Sequence, residues 1–134
     1  MKHGRFSPVW GAFAVCLVFP ACAPAGGHER LLTAIRTVES GGNDLAVGDG
    51  GKALGPYQIH RGYWKDACEY AGVNWDYRTC VWDRAKCEQV IGWYWKRYGA
   101  ITDEQRIRMH QGGPRGPHKT CTLAYYRRVM ALMQ

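Results

Sequence analysis

Along the chain the apolar positions fall into a series of periodic runs. From 29 to 40, Leu31, Leu32, Ile35 and Val38 recur at helical spacing, and Gly41-Gly42 stops the run. Residues 44–58 change character: short apolar runs flank Asp49-Gly50-Gly51, the turn chemistry of a small β-hairpin. Helical spacing returns over 61–71, with Tyr63, Trp64, Ala67, Cys68 and Ala71 on one side. The strongest pattern spans 83–98, where Cys87, Val90, Ile91, Tyr94, Trp95 and Tyr98 form one stripe and Gly99 ends it. Thr102 with Gln105 makes a capping box for a helix over 103–110. Gly112 to Pro117 predicts a rigid loop, and a last helix starts at Thr120 or Thr122 and ends near Leu132. The pattern predicts an α+β chain, mostly helical, with about five helices and a small β-hairpin inserted after the first.

The first 25 residues have a different pattern. Lys2 and Arg5 precede an apolar stretch from Val9 to Phe19, and small residues follow up to Ala23-Pro24-Ala25. This is the layout of a secretory signal peptide cleaved before Gly26. The apolar run is too short for a stable membrane anchor, which needs about 20 residues. Residues 1–25 are therefore expected to be a signal peptide and 26–134 one catalytic domain. The protein is expected to be secreted or periplasmic, and monomeric.

Composition sharpens this reading. Apolar residues make up 46% of the chain, with six Trp and eight Tyr, enough for a packed core. The whole chain carries 18 basic and 11 acidic residues; without Lys2 and Arg5, 16 basic residues stand against 11, net +5. A basic exported protein suits an anionic partner such as a bacterial wall. The basic residues are dispersed as Lys96-Arg97, Arg106/Arg108 and Arg127-Arg128, so no nucleic-acid stripe is expected. Cleavage leaves Cys68, Cys80, Cys87 and Cys121, an even set that in an exported chain predicts two disulfides. Three pairings are possible, and closeness in sequence favours Cys68–Cys80 with Cys87–Cys121. No C-x2-C pair exists, so a metal site is not expected; no cofactor is expected either.

The candidate chemistry lies in Glu39-Ser40-Gly41 and Leu54-Gly55-Pro56-Tyr57-Gln58-Ile59-His60. Glu39 falls in the last turn of a helix, where the negative end of the dipole disfavours a carboxylate's charge. A hairpin follows, closed by a Gly-x-aromatic-Gln segment. Glycoside cleavage needs an acid that keeps its proton at the mouth of a groove and a second carboxylate opposite. Asp44 and Asp49, both on the hairpin side, are candidates for the second. A Ser40–His60 hydrolase pair lacks any G-x-S-x-G context.

Glu39-Ser40-Gly41, Asp49, Gly55-Pro56-Tyr57-Gln58-Ile59, Tyr63-Trp64-Lys65-Asp66, Lys96-Arg97-Tyr98 and His110-Gln111-Gly112-Gly113-Pro114-Arg115-Gly116 together resemble the invertebrate-type (destabilase-like) lysozymes. The resemblance covers roughly 32–128. It implies a lysozyme-like fold and hydrolysis of the β-1,4 bond between N-acetylmuramic acid and N-acetylglucosamine in peptidoglycan glycan strands. It places the general acid on Glu39 and the second carboxylate on Asp49. Tyr57, Gln58, His110, Gly112 and Gly113 are then expected to contact substrate. The chain departs from that family in having few cysteines and a shorter hairpin. The isopeptidase activity of some members is linked to serines and a lysine around the hairpin. Gly51, Ala53 and His60 stand there instead, so that activity is not expected.

Two other readings remain. A lytic transglycosylase would use Glu39 alone, and a non-catalytic cationic wall-binding protein would not need it.

Overall fold

The structure, a computed structural model, describes residues 28–134, so the signal-peptide segment lies outside the described residues. Among the described residues, six α-helices and a three-stranded antiparallel sheet follow in the order α1 (Glu29–Ser40), β1 (Val47–Gly48), β2 (Ala53–Leu54), β3 (Ile59–His60), α2 (Arg61–Ala71), α3 (Tyr77–Cys80), α4 (Arg84–Arg97), α5 (Asp103–Gly112) and α6 (Leu123–Ala131). The sheet order is β1-β2-β3, with Val47 opposite Leu54 and Ala53 opposite His60. The α+β reading holds, with one more strand and one more helix than the pattern predicts. The strands are two residues each, too short to show alternation, and α3 is one turn held by the Asp76 carboxylate at the Thr79 amide.

Helix ends follow the local chemistry. Gly41 takes the left-handed conformation (φ 61°) and its amide donates to the Thr37 carbonyl, so α1 stops directly after Glu39-Ser40. Asp83 caps α4 by accepting from the Lys86 amide, and Thr102 with Gln105 completes a capping box on α5. The α5 helix runs to Gly112, two residues beyond its expected end.

The core is one cluster. Leu31, Ala34 and Ile35 of α1 meet Tyr57 and Ile59 of the hairpin region, Trp64 and Ala67 of α2, and Tyr125 and Val129 of α6. The α4 helix contributes Cys87, Val90, Ile91, Tyr94 and Trp95, all buried, as its stripe predicts; Tyr98 is only half-buried. Each fully buried aliphatic side chain contributes about 1.5–3 kcal/mol.

In this structure Cys68, Cys80, Cys87 and Cys121 are free thiols, unbonded to one another. Cys87 points inward from α4 and donates to the Val81 carbonyl at 3.0 Å, while Cys121 is exposed on the 3-10 turn before α6. The inward stripe of α4 and the surface turn present the two sulfurs to different surroundings. The Cys80 sulfur contacts the Thr79 hydroxyl and the Lys86 ammonium, and is not bonded to Cys68.

Candidate active site

Glu39 sits at the C-terminal end of α1 with its side chain 19% exposed. One carboxylate oxygen, Oε1, accepts a 2.6 Å hydrogen bond from the Tyr125 hydroxyl of α6. The same oxygen lies 3.8 Å from Nε2 of His110. The other oxygen, Oε2, is free of these contacts and can carry a proton toward a ligand. Burial, then the Glu39 charge, pushes the Tyr125 phenol far up, so Tyr125 remains a donor.

His110 is buried, and its surroundings define its state. Nε2 lies 3.0 Å from the Tyr57 carbonyl, which can only accept, so Nε2 carries the hydrogen. Nδ1 then accepts from the Tyr63 hydroxyl at 3.4 Å. Burial lowers the His110 pKa, outweighing a smaller upward pull from Glu39. The imidazole is therefore neutral near pH 7, and its contact with Glu39 is not an ion pair. Tyr63 stacks on Tyr94, ring centroids 3.6 Å apart, which fixes the ring that holds His110.

Several expected sugar contacts turn out to be internal. Tyr57 is 1% exposed and its hydroxyl donates to Glu88, so it is a core residue. His110 uses both nitrogens inside the protein and cannot reach a sugar. The Gln58 amide donates to the carbonyls of Ala46 and Gly55, which closes the hairpin from a left-handed backbone (φ 50°). Gly112 lets α5 approach Thr122: an added Cβ would lie 2.7 Å from its methyl. Its close approach is thus to protein. Gly113, half-buried with φ 74°, caps α5.

The two hairpin carboxylates are used differently. Asp44 pairs with Arg36 of α1 at 3.1 Å. Asp49 opens the 3-10 turn between β1 and β2 with φ 48°, and its carboxylate lies 3.2 Å from His60 Nε2. Both groups of that pair are more than half exposed. Asp49 and Glu39 share no contact partner among the described residues. Sequence reasoning missed Tyr125, Tyr63 and Glu88, because each is an aromatic or polar residue on a helix whose partner lies far along the chain.

Comparison with known proteins matches this architecture. The profile of the family described as Destabilase matches residues 28–132. "Lysozyme" of Meretrix lusoria is 31% identical over 117 residues, covering 81% of this chain and 93% of that protein. "Lysozyme 1" of Crassostrea virginica is 33% identical over 110 residues; the match takes 77% of this chain but only 58% of that longer protein. Among solved structures, the Tapes japonica lysozyme crystal structure superposes with a TM-score of 0.66 at 28% identity, covering 75% of this chain and 86% of the other. A Meretrix lusoria lysozyme crystallised in complex with Aeromonas hydrophila PliI gives 0.67 at 28% identity, over 77% of this chain and 88% of that one. The helix-end acid, the short sheet beside it and the match across nearly all described residues lead to one conclusion: the chain belongs to the Destabilase family, the invertebrate-type lysozymes, a family of glycoside hydrolases.

Proposed function

We propose that this chain is a secreted lysozyme that hydrolyses the β-1,4 bond between N-acetylmuramic acid and N-acetylglucosamine in peptidoglycan, with Glu39 as general acid. The observation that carries this reading is the half-buried Glu39 with one oxygen held by Tyr125 at 2.6 Å. A carboxyl fixed through Oε1 presents Oε2 in one orientation, as proton delivery to a leaving oxygen requires. Asp49 is the second carboxylate in this reading. It lies on the exposed turn of the hairpin, whereas Asp44 is committed to Arg36. Its negative charge opposes the positive charge that develops on the sugar in the transition state. Gly113, without a side chain, remains a candidate for sugar contact. Residues 1–25 act as the signal peptide, and the mature protein works as a monomer.

The test is turbidity loss on purified peptidoglycan, wild type beside Glu39→Gln. An amide cannot give the proton, so activity should fall by at least about 10²–10⁴-fold with the fold unchanged. Near-normal lysis by the variant would overturn the assignment. Amino-terminal sequencing of the exported protein should start at Gly26. One observation favours a second reading, the lytic transglycosylase: Asp49 contacts His60 and not the surroundings of Glu39. Mass spectrometry of the product ends separates the two, since a hydrolase leaves reducing ends and a transglycosylase anhydro ends.

A further inference from the structure

A cleft of about 660 Å³ opens beside β3 and the start of α2, and Glu39, Tyr125 and His110 do not line it. Its walls include Lys52, His60, Arg61, Arg78, Tyr77 and Trp82. Lys52, Arg61 and Arg78 are exposed and make no ion pair among the described residues. Of the neighbouring carboxylates, Asp49 contacts His60, and Asp76 accepts from the amide and hydroxyl of Thr79 while its charge also reaches Arg61. The two rings have their polar ends tied to backbone, Tyr77 to the Ile59 carbonyl and Trp82 to the Arg78 carbonyl, both at 2.7 Å. Their remaining surface is apolar. The cleft thus combines three cations, Arg61 being partly offset by the nearby Asp76 charge, with two aromatic faces.

We propose that this cleft binds the acidic stem peptide that hangs from the glycan strand, through its carboxylates on Arg61, Arg78 and Lys52 and its small apolar side chains on Tyr77 and Trp82. The proposal rests on the peptidoglycan reading above. Guanidinium groups match a carboxylate with two parallel hydrogen bonds, whereas a neutral sugar calls for carboxylate and amide partners, which this cleft has already committed elsewhere. Reach is adequate. The Tyr57 carbonyl holds His110 beside Glu39, and Arg61 follows four residues later, at most about 14 Å of chain. An extended stem of four or five residues spans about the same distance. The segment that braces the surroundings of the acid therefore runs directly into the wall of the cleft.

The experiment is calorimetric titration of a free stem tetrapeptide with two open carboxylates into the full exported protein and its Glu39→Gln form, at low and high salt. Both should bind it, more weakly at high salt, and the same peptide with its carboxylates amidated should lose at least about tenfold in affinity. Arg61→Gln/Arg78→Gln should show the same loss. It should also raise KM several-fold for peptide-bearing glycan while leaving kcat and KM for peptide-free chitin oligomers unchanged. Equal binding of the amidated peptide, no binding by the wild type, or stronger binding of a glycerol-phosphate polymer would overturn the proposal. The amidated-peptide comparison needs no variant, so a double variant that fails to fold does not decide the matter. Binding requires no turnover, so failure here is distinct from failure of Glu39 as the acid.

Discussion

The Tyr125 hydroxyl takes one of the two oxygens of Glu39 and so limits what the carboxyl can do. Tyr125→Phe keeps the ring and removes that bond. A hydrogen bond to a charged group is worth about 1.5–3 kcal/mol, so kcat should fall by about 10–100-fold with little change in KM. Steady-state kinetics on soluble glycan oligomers would check this, and an unchanged kcat would leave Tyr125 a packing residue. His110 supports a second prediction, about stability. Its folded pKa lies below the ordinary 6.5, chiefly through burial. As pH falls through that value the unfolded chain takes up a proton that the folded one refuses. The stabilisation is therefore complete above about pH 6.5 and is lost as pH falls toward the depressed folded value. His110→Gln should be less stable at neutral pH but show a flatter fall in Tm between about pH 7 and 5, measured by thermal melts. At this scale Glu39 was legible, because a carboxylate in the last helical turn before Gly41-Gly42 stands out locally. Tyr125 was not: it is spaced four residues from Val129 like any core residue, and its partner is 86 positions away. Tyr57 misled because its neighbours Gly55, Pro56 and Gln58 form a motif, while burial put its hydroxyl on Glu88.

Among the elements, the hairpin is anchored by close approach as much as by its ladder. Gly55 has φ 76°, and a Cβ there would stand 2.1 Å from the Val81 carbonyl oxygen. Gly55→Ala should cost more than about 2 kcal/mol in denaturant unfolding, by strain and by pushing the hairpin off α3 and α4. Gly92 provides the contrast, since it lies within α4 with open space around it. Gly92→Ala should stabilise by about 0.5–1 kcal/mol. Helices α1, α2 and α4 were legible because a 3.6-residue stripe over 10 or more positions needs no tertiary knowledge, and α5 through its capping box. The third strand and α3 were not. Ile59-His60 gains its strand identity only by pairing with Ala53-Leu54, and Tyr77 of α3 is held by the Ile59 carbonyl.

Across the whole molecule, the thiols report how the parts close on one another. Burial pushes the Cys87 thiol up to about 12, so it should resist alkylation near pH 8 until the protein unfolds, while exposed Cys121 reacts at once. Mass mapping after brief alkylation would check the order; prompt labelling of Cys87 would mean that α4 is not seated as described. Cysteine count could not reveal this order, because it depends on which way each helix faces. The first helix is also joined to the last by Tyr125 on Glu39, and to the chain just beyond it by Arg30 on the Met133 carbonyl at 2.6 Å. That junction makes competence a matter of timing. A chain emerging amino-terminus first exposes its acid long before the group that orients it exists. A nascent chain, or one clipped by a protease ahead of Leu123, carries Glu39 without its clamp and should remain inert until the last helix arrives.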